Sequence, residues 1–272
     1  MSNAEESAHD RAILEQFTQR ASGFAADGEI HGRDALQLII DAAAPTRIDR
    51  AIDLACGPGS VACALAERAG QVVGLDATPA MLDEACLLAA KKGLTNVEWT
   101  LGSVYAAPYA ERSFDAVVCR YALHHLMEPP KAFAEMLRLA APGGRVVVCD
   151  GVASDDPAKA AAFNAMERRR DPSTVEFRTL DYLKRLFLEA GLGEPRESQF
   201  LVGYRAADLV QNSVTDEAER AALLALYEAS VEGDRFGMAA RRTADGVRVC
   251  FPSVVLSAVM PARADATASF FR

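Results

Sequence analysis

The apolar pair Ala51-Ile52 delivers Asp53, and the turn Ala55-Cys56-Gly57-Pro58-Gly59-Ser60 follows it directly, ahead of a helix-forming stretch. Glycines let a backbone approach a ligand closely and take dihedrals closed to other residues. A helix opened by such a turn presents unbonded amides, so the pattern suits a nucleotide-like ligand. Gly57, Gly59 and Ala62 satisfy the loose G-x-G-x-x-G/A spacing, and Asp76 lies about twenty residues on, where a dinucleotide enzyme holds its ribose. An NAD(P)-dependent oxidoreductase is therefore one reading. Pro58, however, removes an amide donor from a loop that would have to hold pyrophosphate, and Asp53 adds negative charge beside it. Both features favour a cationic ligand.

A second cluster, Arg120-Tyr121-Ala122-Leu123-His124-His125, follows the β-rich run at 114–119. Imidazole titrates near neutrality, and open α/β sheets bind ligands at the carboxyl ends of their strands. There His124 or His125 can deprotonate a phenol, an amine or an activated carbon acid. The alternative, that the imidazoles hold backbone groups and shape a pocket, stays open, as does a structural role for Arg120 and Tyr121. Cys56, Cys63, Cys86, Cys119, Cys149 and Cys250 are scattered through apolar stretches without a C-x-x-C pair or a histidine at metal spacing. They read as buried thiols, and no metal is expected.

These groups need elements to hold them. Across Ala51–Asp150 short β-rich runs near 51–55, 71–75, 96–101, 114–119 and 145–149 alternate with helical stretches at 60–69, 79–92 and 130–140, which argues for a doubly wound α/β sheet. Thr78 and Pro79 read as N-cap and first residue of a helix, and Pro142-Gly143-Gly144 as the turn into the fifth strand. Helices are expected upstream at 11–24 and 33–43 and downstream at 157–170 and 180–190. Strands are expected at 197–204 and 247–259, separated by an acid-rich helical insertion at 206–235 that caps a substrate site or makes a homodimer contact. The 272 residues are 50% hydrophobic and 25% charged, with a formal charge of −9. That charge argues against a nucleic-acid surface. With no apolar run near the roughly 18 residues of a membrane span and a polar N-terminus, a cytoplasmic location is expected.

The ordered strings Asp53-Leu54-Ala55-Cys56-Gly57-Pro58-Gly59, Val72-Val73-Gly74-Leu75-Asp76, Thr78-Pro79-Ala80-Met81-Leu82, Gly102-Ser103, Ser113-Phe114-Asp115-Ala116-Val117-Val118, Ala122-Leu123-His124-His125-Leu126 and Pro142-Gly143-Gly144 resemble class I S-adenosylmethionine-dependent methyltransferases. The resemblance is greatest to the branch with quinone-biosynthesis and bacterial small-molecule methyltransferases. It implies a Rossmann-like, seven-stranded, mostly parallel sheet with an antiparallel edge strand, in one domain over 1–272. Within it, residues 1–45 would be a helical lid, 46–150 the cofactor-binding core and 151–272 the substrate-side helices and final strands.

The resemblance also implies direct displacement of the methyl of S-adenosylmethionine onto oxygen, nitrogen or carbon of a small molecule, with S-adenosylhomocysteine as product. A fold that binds this cofactor without transferring methyl is the further alternative. By the same resemblance Asp53, Gly57 and Gly59 would hold the amino-acid end of the cofactor, Asp76 the ribose hydroxyls and Met81 the adenine. Ala55, Cys56, Ala77, Gly102, Val104 and Arg120 would complete that side. Ser103 departs from the family's usual acid, and its hydroxyl would accept the adenine amino proton more weakly. Phe17 on the lid, Tyr121, His125 and Arg169 are the candidates for the acceptor, Arg169 through bidentate binding of an anion, with a solvated helix end as the alternative for it.

Overall fold

The computed structural model describes residues 13–18, 21 and 33–262, of which 13–18 and 21 are helical. The rest of the helix expected at 11–24 lies outside the described residues, as do His9, His31 and most of the expected lid. The elements are then α1 (Arg33–Ala43), β1 (Arg50–Leu54), α2 (Ser60–Ala66), β2 (Gln71–Asp76), α3 (Pro79–Lys92), β3 (Val97–Leu101) and β4 (Phe114–Arg120). A 3-10 turn at Leu123–His125 leads into α4 (Pro129–Leu139), β5 (Ala140–Gly151), α5 (Pro157–Arg170), α6 (Leu180–Glu189) and β6 (Arg196–Arg205). α7 (Ala206–Ser213), α8 (Glu217–Ala229), β7 (Arg241–Thr243) and β8 (Gly246–Val259) complete it.

The strands run β3-β2-β1-β4-β5-β8-β6, with the short β7 paired to β8 as an eighth strand that the expected seven did not include. β1 to β5 are mutually parallel, and β8 is antiparallel to both β5 and β6. Side-chain alternation along buried strands sorts the core into two layers. Ile52, Leu54, Val117 and Cys119 face α4 and α6 through Phe133, Met136, Leu186 and Phe187. Ala51, Ala116, Val118 and Val147 face α1 and α2 through Ile39, Val61 and Leu65.

Two local expectations change in the folded chain. Pro142-Gly143-Gly144 lies within β5 as an irregularity in its pairing with β4, and Gly143 and Gly144 exchange backbone hydrogen bonds of 3.0 and 2.7 Å with Met260. Thr78 is the N-cap of α3 by position, with Pro79 behind it, but its hydroxyl makes no capping bond; it serves Asp76 instead.

β8 is fourteen residues long, and this length shapes the site. Its half from Ser253 to Val259 pairs with β5, while Arg248 to Pro252 run on past the end of β5 in register with Leu201 to Arg205 of β6. This ribbon and α5, α7 and α8 bury a separate cluster around Phe163, Phe177, Leu223, Tyr227 and Phe251. A wall thus stands beside the carboxyl ends of the parallel strands.

Candidate active site

A cavity of about 1020 Å³ opens along those carboxyl ends, at the upper limit of the roughly 300–1,000 Å³ usual for small-molecule pockets. Of the sequence candidates, Asp53, Ala55, Cys56, Gly57, Asp76, Ala77, Met81, Gly102, Ser103, Val104 and Arg120 line one part of it. Phe17, Tyr121, His124 and His125 line the remainder. Gly59 and Arg169 are not in the lining, and each has another physical role.

Gly59 takes φ 81° at the start of α2, and a Cβ there would lie 2.7 Å from Trp99 Cη2 and 2.8 Å from Ala85 Cβ. Packing between α2, α3 and β3 demands a glycine here, where the sequence suggested ligand contact. At Gly57, φ is 51° and a Cβ would meet no atom within 4 Å, so this backbone faces the cavity. Ala55 and Tyr121 also take positive φ, 54° and 48°, at the ends of β1 and β4. Such residues cost about 1–2 kcal/mol in this conformation and collect at functional sites.

Asp53 is buried, and its Oδ2 accepts the Ala62 amide at 3.0 Å. Its Oδ1 is also buried and has no hydrogen-bond partner among the described residues. Burial pushes the carboxyl up to about 7, against the pull of the Arg120 guanidinium and the Ala62 amide and with a further push from Asp76. Asp76 is the opposite case: Oδ2 accepts Gly57 N–H and Oδ1 accepts Thr78 N–H, both at 2.8 Å. These bonds lock the end of β2 to the glycine turn and set the carboxylate's orientation. Burial raises its pKa as well, while the backbone amides of Thr78 and Gly57 oppose the rise.

Arg120 reaches Ser60 Oγ at 3.4 Å, and its guanidinium carbon lies 4.7 Å from the Tyr121 ring centroid. Tyr121 bonds Ser253 Oγ at 3.1 Å, and burial holds its phenol above the usual range. Cys56 is a buried thiol kept protonated by burial and by the charges of Asp76 and Asp53. Ser103 stays exposed at the cavity edge and accepts the Tyr105 amide at 3.2 Å. Among the described residues no group of His, Cys, Asp and Glu is placed to hold a metal ion.

Arg169 corrects an expectation. It lies on the surface in a bidentate pair with Glu219, at 2.7 and 3.0 Å, and of the run Arg168-Arg169-Arg170 it is Arg170 that lines the cavity. Arg170 is held by both oxygens of fully buried Glu167 and donates to Ser213 Oγ at 2.8 Å. Burial works against its charge, but Glu167 and Asp171 more than offset that and keep it cationic.

Sequence reasoning also missed Asp150, Ser173, Phe177, Tyr204, Arg248 and Phe251. Asp150 carried a readable signal, since it ends the apolar run Val146-Val147-Val148-Cys149 as Asp53 and Asp76 end theirs. The others come from segments that only the β6–β8 ribbon and the α5–α6 connection bring to the cavity or, for Ser173, to His125 in its lining.

Comparison with known proteins agrees with this architecture. The family described as "Methyltransferase domain" matches residues 52–148. The chain is 34% identical over 152 residues to the uncharacterized methyltransferase YcgJ of Bacillus subtilis, covering 56% of this chain and 60% of that protein. It is 35% identical over 114 residues to the demethylmenaquinone methyltransferase of Renibacterium salmoninarum, covering 42% of this chain and 46% of that protein. The matches thus span about half the length of these relatives.

The crystal structure of YcgJ superposes with a TM-score of 0.76 at 24% identity, covering 84% of this chain and 98% of that one. The [4+2]-cyclase SpnF superposes with a TM-score of 0.60 at 20% identity, covering 84% and 80%. Among the described residues no helix is long and apolar enough to cross a membrane. Residues 52–148 of this chain thus match the methyltransferase-domain family, and the described chain has the mixed α/β, Rossmann-like fold of these solved structures.

Proposed function

We propose that the chain binds S-adenosylmethionine and transfers its methyl group to a small organic acceptor held in the same cavity. The observation that carries this reading is the buried, partnerless Oδ1 of Asp53 beside an open glycine turn. A buried carboxylate with an unsatisfied oxygen is costly, and a ligand ammonium satisfies both its charge and its hydrogen bond. The residues present fit the cofactor: Asp53 and Gly57 for the amino-acid end, Asp76 for the ribose hydroxyls, and Met81 with Val104 for the base. Bound there, the cofactor supplies an activated methyl on a sulfonium, a good leaving group. The chain's own tasks are to orient the acceptor and to exclude water, and the surrounding apolar lining suits both.

Titration calorimetry with S-adenosylmethionine, S-adenosylhomocysteine and NADH tests the reading. Saturable binding of the two sulfur compounds without NADH supports it, and preference for NADH overturns it. Asp76→Ala is expected to weaken S-adenosylhomocysteine binding by about ten- to a hundredfold, since it removes paired hydroxyl contacts worth roughly 1.5–3 kcal/mol and frees the Gly57 amide. Unchanged affinity in the folded variant would remove the ribose assignment. Because a cyclase shares this fold, cofactor that binds but is never consumed with any acceptor would shift the reading to non-transfer chemistry.

A further inference from the structure

The two adjacent imidazoles lie 4.0 Å apart, centroid to centroid, but in different chemical surroundings. His124 Nδ1 is 2.6 Å from Asp150 Oδ1, and that carboxylate also accepts the Gly151 amide on Oδ1 at 2.7 Å and the His124 amide on Oδ2 at 3.2 Å. A carboxylate so occupied acts as an acceptor, so Nδ1 is the donor to it, the tautomer that in a neutral imidazole puts the lone pair on Nε2. Phe177 stacks on the ring at 4.2 Å and 13°, and the His124 carbonyl accepts the amides of Val175 and Glu176 at 2.9 and 3.0 Å. The ring is therefore fixed, with Nε2 unengaged among the described residues and the side chain in the cavity wall. His125 is different: its Nδ1 meets the carbonyl oxygen and Oγ of Ser173, each at 3.1 Å. Burial and the neighbouring His124 push it down to about 3, so it takes up no proton near neutrality.

We infer that His124, oriented by Asp150, is the catalytic proton acceptor, and that the methyl acceptor is an aromatic hydroxyl compound. This rests on the methyl-transfer reading above. The acceptor class follows from two observations. The aromatic residues Phe17, Tyr121, Phe177, Tyr204 and Phe251 line the same cavity as His124, and the Phe177 ring stacks on its imidazole. A positioned base serves an acceptor that arrives protonated, which sets a carboxylate aside; among the phenols, amines and carbon acids an imidazole can deprotonate, the aromatic lining selects the phenol, which ionises near the roughly 10 of tyrosine. In the step, the acceptor O–H proton passes to Nε2, the freed oxygen pair forms the O–CH3 bond, and the C–S pair leaves with sulfur as a neutral thioether. The imidazolium then returns its proton to solvent. Asp150 is a positioning residue that stabilises this imidazolium; His125 is the titratable group beside it, and Asp171 acts on His125 in turn.

The test uses 4-nitrophenol, whose phenolate alone is yellow, with the full chain saturated in S-adenosylhomocysteine at a pH below the probe's own pKa. Wild type is expected to bind the probe and turn it yellow. His124→Gln should lower the bound phenolate about tenfold, and methylation of the probe by about 10²–10⁴-fold, with S-adenosylhomocysteine affinity unchanged. Asp150→Asn should move the pH at which the bound probe ionises, which a merely structural carboxylate would not. Nitrogen-detected imidazole NMR of wild type should show His124 protonated on Nδ1, a readout independent of any variant. Equal ionisation in His124→Gln, the opposite tautomer, or failure of wild type to bind the probe while binding S-adenosylhomocysteine overturns the assignment. Absence of S-adenosylhomocysteine binding overturns the methyl-transfer reading itself.

Discussion

Asp53→Asn is expected to remove a pH dependence from the stability of the ligand-free protein. The folded carboxyl is raised from its ordinary 3.8 to about 7, chiefly by burial, so between those values the native state holds a proton that the unfolded chain releases. Its contribution is intact below the ordinary value and is lost as pH rises through the folded one. At roughly 1.4 kcal/mol per unit, wild type loses up to ~4 kcal/mol across this window, whereas asparagine, neutral throughout, loses none from this position. Urea unfolding of both proteins from acid to slightly alkaline pH reads the difference as diverging stability curves, and parallel curves would sink it. The same variant should bind S-adenosylmethionine far more weakly, because the ligand ammonium meets an amide in place of a carboxylate. Below pH 7 wild-type binding should also release a proton, visible as a buffer-dependent calorimetric heat.

Glu167→Ala should be the most destabilising change in the part of the chain that follows β5. Glu167 is wholly buried at the base of α5 and contacts Arg170 through both oxygens, at 3.0, 3.0 and 2.6 Å. Removing one member of a buried pair strands the other charge and typically costs about 3–5 kcal/mol, on the order of 10 °C in Tm for a chain of this size. The double change Glu167→Met with Arg170→Met should recover most of that loss, since packed apolar side chains replace both charges. It should still alter the cavity, where Arg170 joins α5 to α7 through Ser213. Thermal scans of the single and double variants check the pair, and equal Tm for Glu167→Ala and wild type would show that it carries no stability.

Much of the proposed cofactor side was legible in the chain because its information is local. Asp53 and Asp76 sit at strand ends that the apolar runs themselves announce, Gly57 lies in the turn that follows the first, and the helix after each turn begins within a few residues. Alternating buried strands and amphipathic helices likewise specified a doubly wound sheet, since each apolar face must find a covering layer. Even there, sequence could not separate Gly57, which faces the cavity, from Gly59, which clears Trp99 and Ala85. Both fit one motif, and only side chains from α3 and β3 divide their roles.

The proposed acceptor side depended on contacts far apart in the chain. Tertiary structure chose Arg170 over Arg169, because one turn of α5 directs one guanidinium inward to Glu167 and the other outward to Glu219. It distinguished His124 from His125 by bringing Asp150 to one and Ser173 to the other. It also built a wall from the overhanging part of β8, whose length was readable but whose register against β5 and β6 was not. The sequence by itself thus determined the fold class and the placing of Asp53, Gly57 and Asp76 at the carboxyl ends of β1 and β2, where neighbouring residues act together. The chemistry and shape of the rest of the cavity were decided only when distant segments packed, since charge, burial and pairing there are properties of the assembled surface.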